Sequence, residues 1–290
     1  MSQPLLTSFR RYLQRRNFSG YTVRNYVRAI AEFYQAVDHA LPAVTCVEVA
    51  RFVERLQAEG LAAKTINCKL SAVRQFYEYV RNDHLPGLKN PVRKRDFLKE
   101  PRPLPRAASA EQLVGIWTQI RSVRDRALFL ILLRSGVRVS EAIGLELGDV
   151  DLRRYTARIR EGKNRRERLI YLSPDTVQAL EAYLEQRGWP RAGQLFVSEK
   201  GPTQGCSLSI RGVQKRIERY ARHAGVQISC HTLRHSLATQ LLNQGVRLVV
   251  VQELLGHSTV LSTQRYARLA NRRVREEYFE GMRKIVGITV

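Results

Sequence analysis

The stretch PGLKNPVRKRDFLKEPRPLPR, residues 86–106, divides the chain. Its prolines cannot continue a helix, the residue before each proline is pushed toward extended backbone, and its basic side chains favour solvent. It reads as a linker over 89–107 between an N-terminal helical domain, 1–88, and a second domain, 108–290. Upstream of it, YTVRNYVRAIAEFY (21–34) and KTINCKLSAVRQFY (64–77) repeat each other at a spacing of 43 residues, pairing Thr22 with Thr65, Ala29 with Ala72 and Phe33-Tyr34 with Phe76-Tyr77. In both, a Thr able to cap a helix precedes apolar positions recurring at three and four residues. Two copies are too few for a solenoid, so these are two helices of a four-helix bundle completed by helices at 3–16 and 45–59.

Downstream of the linker, Ser109 and Gln112 have capping-box spacing and open a helix. The domain that follows is mainly helical with one interruption. YTARIRE (155–161), the turn G-K-N and RRERLIYL (165–172) predict a β-hairpin with Gly162 and Asn164 in the turn, and QLFVS (194–198) is a candidate third strand. Helices resume at 210–224, 232–244, 247–255 and 263–283. The expected fold class is therefore mainly α with a small antiparallel β-sheet.

At 290 residues and 44% hydrophobic content the chain can fill real cores. Its net charge of +23 exceeds what solubility needs and points to a polyanionic partner, nucleic acid before acidic lipid. Residues 1–100 hold 17 Lys/Arg against 9 Asp/Glu, so both halves are basic and the charge is not a tail. The membrane reading lacks its anchor: no apolar run approaches the roughly 20 residues that span a bilayer, and basic residues enter the N-terminal stretch too early for a secretory core. A cytoplasmic protein with no membrane partner is expected. Cys46, Cys68, Cys206 and Cys230 form no C-x-x-C pair, which leaves reduced, mostly buried thiols as the expectation.

Three further segments carry chemistry. In LLRSGVRVSEAIGLELGDVDL (132–152), Arg138 follows the helix-ending Gly136 and stands at the next helix start, where a guanidinium and a helix N-terminus make a phosphate site. Glu141 lies on the same face and can orient Arg138 or a histidine. In SCHTLRHSLATQLL (229–242), His231 and Arg234 project together from a first helical turn. His231 and His235 also stand at zinc spacing, but the glutamate of H-E-x-x-H is missing and Arg234 between them would repel a cation. In ELLGHSTVLSTQRYARL (253–269), Gly256 ends a helix, His257 follows, and Tyr266 falls in the next helix. Taken singly, His257 and Tyr266 have no assignable role.

The ordered set R-x-S-E, basic hairpin, H-x-L-R-H, L-G-H and a Tyr nine residues later resembles the tyrosine recombinase family, including its Xer-type and phage-integrase members, over nearly the whole chain from Phe18 onward. The resemblance implies an N-terminal core-binding, SAM-like domain and a C-terminal catalytic domain. It implies phosphate-binding Arg138 and Arg234, active-site His231 and His257, nucleophile Tyr266, supporting Glu141 and the hairpin lysine Lys163. Arg165 and Arg166 become candidate phosphate contacts, and Arg24, Lys64, Lys69 and Arg74 candidate DNA contacts of the first domain. A tyrosine hydroxyl titrates near ~10, so attack at neutral pH needs a base and a positive pocket, which His231 and the arginines supply. The arginines and His257 can meet the charge of the pentacoordinate phosphorane, and Lys163 can protonate the leaving 5′ oxygen. No metal, cofactor or ATP is implied.

The implied partners are double-stranded DNA at a specific inverted-repeat-like site and further copies of the chain, assembled into a synaptic tetramer in which the apolar run Ile285–Val290 docks on a neighbour. An accessory protein is a further possible partner, nucleoid association is expected, and no arm-binding domain is expected before residue 3. Two alternatives stay open on the residues: DNA relaxation of the type IB topoisomerase kind, and a catalytically silent DNA-binding protein.

Overall fold

The computed structural model describes residues 3–37, 40–100, 107–160, 167–256 and 267–289. The chain divides into two compact units, Met1–Pro103 and Leu104–Val290. The first unit holds α1 (Gln3–Arg15), α2 (Gly20–Ala36), α3 (Cys46–Ala58) and α4 (Ala63–Asp83). The repeated segments lie on α2 and α4, and their equivalent tyrosines meet: Tyr34 donates its hydroxyl to that of Tyr77 at 2.8 Å. Phe33 and Phe76 are buried beside them, with Phe33 edge-on to Phe52 at 5.0 Å between centroids. Burial pushes the Tyr77 hydroxyl up to about 12, so this pair stays neutral.

The caps differ from expectation. Ser19 caps α2 by accepting from the Thr22 amide at 3.1 Å, and α4 begins after Ala62 with no side-chain cap. Thr22 and Thr65 therefore lie inside their first turns. Ser19, three residues before Thr22, has the geometry that a cap requires.

Residues 86–100, read as linker, pack on the bundle. Leu88 and Val92 are buried, and Phe97 and Leu98 lie against the same core. Asn67 exchanges two hydrogen bonds with the Leu98 backbone, at 2.9 and 2.8 Å, and Asn90 donates to the Arg74 carbonyl at 3.0 Å. These side chains supply the partners that a proline-broken backbone cannot supply itself. Apolar residues at 88, 92, 97 and 98, hidden among charges, do the rest.

The second unit runs α5 (Ala110–Gln119), α6 (Val123–Arg134), α7 (Val139–Ile143), β1 (Val150–Asp151), β2 (Thr156–Ile159), β3 (Arg168–Tyr171), α8 (Pro174–Gln186), α9 (Ile210–His223), α10 (Cys230–Asn243), α11 (Leu248–Leu255) and α12 (Ala267–Thr289). Ser109 and Gln112 form the expected box. The hairpin pairs antiparallel, with Thr156 opposite Tyr171 and Ile159 opposite Arg168. The third strand is β1, not 194–198, which makes only single bridges from Gln194 to Glu146 and from Val197 to Ser207. Leu195 and Phe196 are consecutive and both buried, a pattern that does not suit a strand with one wet face.

α6 is buried on nearly every side and forms the centre of a core with α5, α8 and α9. A second core joins α10, α11 and α12 through Leu237, Leu241, Val250, Leu254, Tyr278 and Ile285. A Cβ on Gly281 would lie 2.9 Å from Leu241 Cδ2, so α12 sits close against α10. This corrects the reading of the C-terminal run: Ile285 is 4% exposed and packs in its own unit, while the side chains of 288–290 lie outside the described residues. The thiols are also less hidden than expected, since Cys230 is buried but Cys68 and Cys206 are exposed. No described helix is long and apolar enough to cross a membrane. Ile285→Ala should cost about 2–5 kcal/mol in urea unfolding of the DNA-free protein, and an unchanged midpoint would place this side chain outside the core.

Candidate active site

The site begins at the α6–α7 corner. Gly136 has φ +61°, and a Cβ there would lie 2.6 Å from Leu255 Cδ2 and 2.9 Å from Leu237 Cδ2. Glycine is needed both for the left-handed turn and for the approach of α10 and α11. Arg138 then caps α7. Its backbone N–H donates to Glu141 Oε2 at 2.8 Å, its Nη1 donates to Oε1 at 2.7 Å, and its Nη2 lies 3.4 Å from the Gly256 carbonyl. The sequence expectation that Glu141 orients Arg138 rests here on two direct bonds.

Arg234, in the first turn of α10, is buried. Its Nη1 donates to the Gly136 carbonyl and its Nη2 to the Leu255 carbonyl. The two arginines come from separate helix starts, yet both grip the end of α11. Burial, followed by the neighbouring Arg138 and Arg168 charges, lowers the Arg234 pKa to about 10, with Glu141 opposing. Even so the group stays charged at neutral pH.

Sequence reasoning missed Arg168. It enters from β3 and donates Nη1 to Glu141 Oε1 at 3.1 Å and Nη2 to Oε2 at 2.7 Å. A Cβ on Gly256, whose φ is +62°, would lie 3.0 Å from Arg168 Nε, so the guanidinium lies across that glycine. A signal existed in the strand: Arg168 shares the inward parity of the buried Ile170, while Leu169 between them is exposed, and an inward arginine needs buried acceptors, for which a carboxylate is the strongest candidate. Two guanidinium groups thus hold one carboxylate, with Arg234 close enough to feel its charge. Burial alone would raise the Glu141 pKa, but the hydrogen bonds from Arg168 and Arg138 outweigh it and hold the carboxyl below its ordinary value.

His231 is exposed on α10, with its Nε2 at 3.0 Å from that of His235 and the two rings edge to face. One of these nitrogens must donate and the other accept. No cluster of three or more metal-binding side chains occurs among the described residues. Lys163, Arg165, Arg166, His257 and Tyr266 lie outside the described residues. In the first unit, Arg24 and Lys64 are exposed near the starts of α2 and α4, and Arg74 is half-buried. Lys69 differs from them, because it is tied to Glu32 in a partly buried ion pair.

The phage integrase family pattern matches residues 106–273, and the phage integrase N-terminal SAM-like domain matches 6–84. The chain belongs to the phage integrase family of tyrosine recombinases. The tyrosine recombinase XerA of Thermococcus kodakarensis is 31% identical to it over 281 residues, 95% of each chain. In fold, the recombinase is similar to the Tn1549 transposon integrase in complex with transposon right end DNA, with TM-score 0.74, 18% identity, and coverage of 93% of this chain and 99% of that one. It is similar as well to a lambda integrase tetramer bound to a Holliday junction, with TM-score 0.70, 19% identity, and coverage of 90% and 79%.

Removing the carboxylate of this recombinase should leave two guanidinium groups without their anion. Glu141→Gln is expected to cost about 3–5 kcal/mol at neutral pH. Because folding depresses the Glu141 pKa, its stabilisation is complete above the ordinary value of 4.5 and is lost as pH falls below it. The gap between wild type and variant in urea unfolding should therefore narrow below that pH; a constant gap would show that charge is not its source.

Proposed function

We propose that this tyrosine recombinase cuts duplex DNA at specific sites through a 3′-phosphotyrosyl bond to Tyr266 and exchanges strands between two such sites. The observation that carries the reading is the meeting of Arg138 and Arg234 at the end of α11, on the Leu255 and Gly256 carbonyls of the L-G-H sequence. Arg138 and Arg234 bind the scissile phosphate and meet the charge of the phosphorane. His231 takes the tyrosine proton, His257 donates to a phosphate oxygen, and Lys163 protonates the leaving 5′ oxygen. The new phosphotyrosyl ester replaces the broken phosphodiester, and a 5′-hydroxyl from the partner duplex reverses the step, so no external energy source is consumed.

Residues 1–88 contact one face of the DNA through Arg24, Lys64 and Arg74, with Arg165 and Arg166 adding phosphate contacts from the catalytic domain at 108–290. Lys69, already neutralised by Glu32, has little to offer a phosphate. The solved lambda integrase tetramer on a Holliday junction supports a tetramer of this chain on two duplexes. Since Ile285 is taken up by its own core, docking of the tail on a neighbour is confined to residues beyond Val286.

Two measurements test the chemistry. On a nicked suicide substrate, Tyr266→Phe should bind DNA as the wild type does yet give no covalent band on a denaturing gel; an adduct in that variant refutes the nucleophile. A substrate with sulfur at the 5′-bridging position leaves without a proton. It should therefore rescue Lys163→Ala but not Arg138→Ala, whose loss of a preorganised donor costs ~10²–10³ in rate. Equal rescue of both, or of neither, removes Lys163 as the acid.

A further inference from the structure

We propose that Arg168 is a positioning residue for Arg138, acting through Glu141 to keep the outer edge of the Arg138 guanidinium free for phosphate. The inference rests on the reading that Arg138 binds the scissile phosphate.

An ionised carboxylate offers about four acceptor sites. Those of Glu141 are all used: Arg168 Nη1 and Nη2 at 3.1 and 2.7 Å, the Arg138 backbone N–H at 2.8 Å and Arg138 Nη1 at 2.7 Å. Arg138 consequently holds the carboxylate by one side-chain nitrogen only. Left to themselves, an arginine and a glutamate prefer two parallel bonds, fork against fork. Arg168 prevents that by occupying one site on each oxygen. Were it absent, Glu141 could rotate and take a second nitrogen of Arg138, and the donors aimed at the phosphate would be lost to an internal ion pair.

Arg168 is itself held in place. It is anchored in β3 opposite Ile159, its side chain is only 16% exposed, and its guanidinium lies against Gly256, where any Cβ would strike it. Both terminal nitrogens point at Glu141, and its buried Nε has no partner among the described residues. Two of its five N–H donors are spent on Glu141 and the Nε edge is buried against Gly256, so it is placed to position Glu141 and not to face a ligand. A lysine at 168 would place one point charge near the carboxylate and could not occupy both oxygens in this geometry.

The test is single-turnover cleavage of the nicked substrate by the full chain, with DNA binding and thermal unfolding measured on each variant. Arg168→Ala should slow cleavage about 10–100-fold, the range typical when a group orienting a site residue is removed, with DNA affinity unchanged. Arg168→Lys, which keeps the charge and guards against a folding failure, should be slowed to a similar degree. In an Arg138→Lys background, which retains a measurable rate but has no fork to misalign, Arg168→Ala should add little. Independent, multiplying losses in that double variant, or wild-type cleavage by Arg168→Lys, would overturn the proposal and leave Arg168 as a structural ion-pair partner. Wild-type cleavage by Arg138→Lys and Arg138→Ala would instead sink the phosphate role of Arg138 itself.

Discussion

One buried carboxylate, Glu141, is the constraint on which the rest of the catalytic unit depends. It draws Arg138 from the start of α7 and Arg168 from β3 onto the same pair of oxygens, and so joins a helix corner to the sheet. A buried ion pair seldom stabilises a protein more than a well-packed apolar cluster, because desolvation consumes most of the Coulomb gain. Its value here is geometric. With two guanidinium groups sharing its one negative charge and Arg234 beside them, the site keeps a positive surplus close to the end of α11. Arg234 finds no carboxylate and settles on two main-chain carbonyls.

Those carbonyls explain why the corner is built from glycines. Arg234 reaches the Gly136 and Leu255 oxygens only if α6, α10 and α11 approach without intervening side chains, and a methyl group at Gly136 would collide with Leu237 and Leu255. Gly256 repeats the logic on the other side: left-handed backbone ends α11 and leaves space for the Arg168 guanidinium. The sequence L-G-H thus begins with a residue fixed by packing and by an arginine at once. Rigidity of this kind is what a charged transition state needs, since donors that must reorganise contribute less.

Much of this was legible in the sequence. The helices, the hairpin, the Ser109 box and the pairing of Arg138 with Glu141 follow from local rules of capping, periodicity and spacing. Arg168 was not legible in the same way, because its partner lies 27 residues away and only the parity of a short strand hints that it points inward. The packing of residues 86–100 was hidden for a related reason. Prolines and charges dominate that stretch, while the asparagines that pin it come from α4 and from within the stretch itself. The two-residue β1 is too short to show any period. Ile285 looked like part of an apolar tail because sequence records hydrophobicity but not whether a groove is waiting in the same unit.

The net charge also means something different once the bonds are known. Arg187 donates to the Gln194 and Leu195 carbonyls, Arg126 to Ile120 and Arg234 to Gly136 and Leu255. A guanidinium that bonds to a carbonyl spends its donors without losing its charge, whereas Lys69 on Glu32 or Arg160 on Asp149 is largely cancelled. Arginines used as structural struts therefore keep contributing to the protein's positive field while holding loops and helix ends in place. A chain built in this way draws a polyanion toward its surface with the same residues that fix its backbone. The surplus of +23 is in part the electrostatic consequence of how the fold is held together.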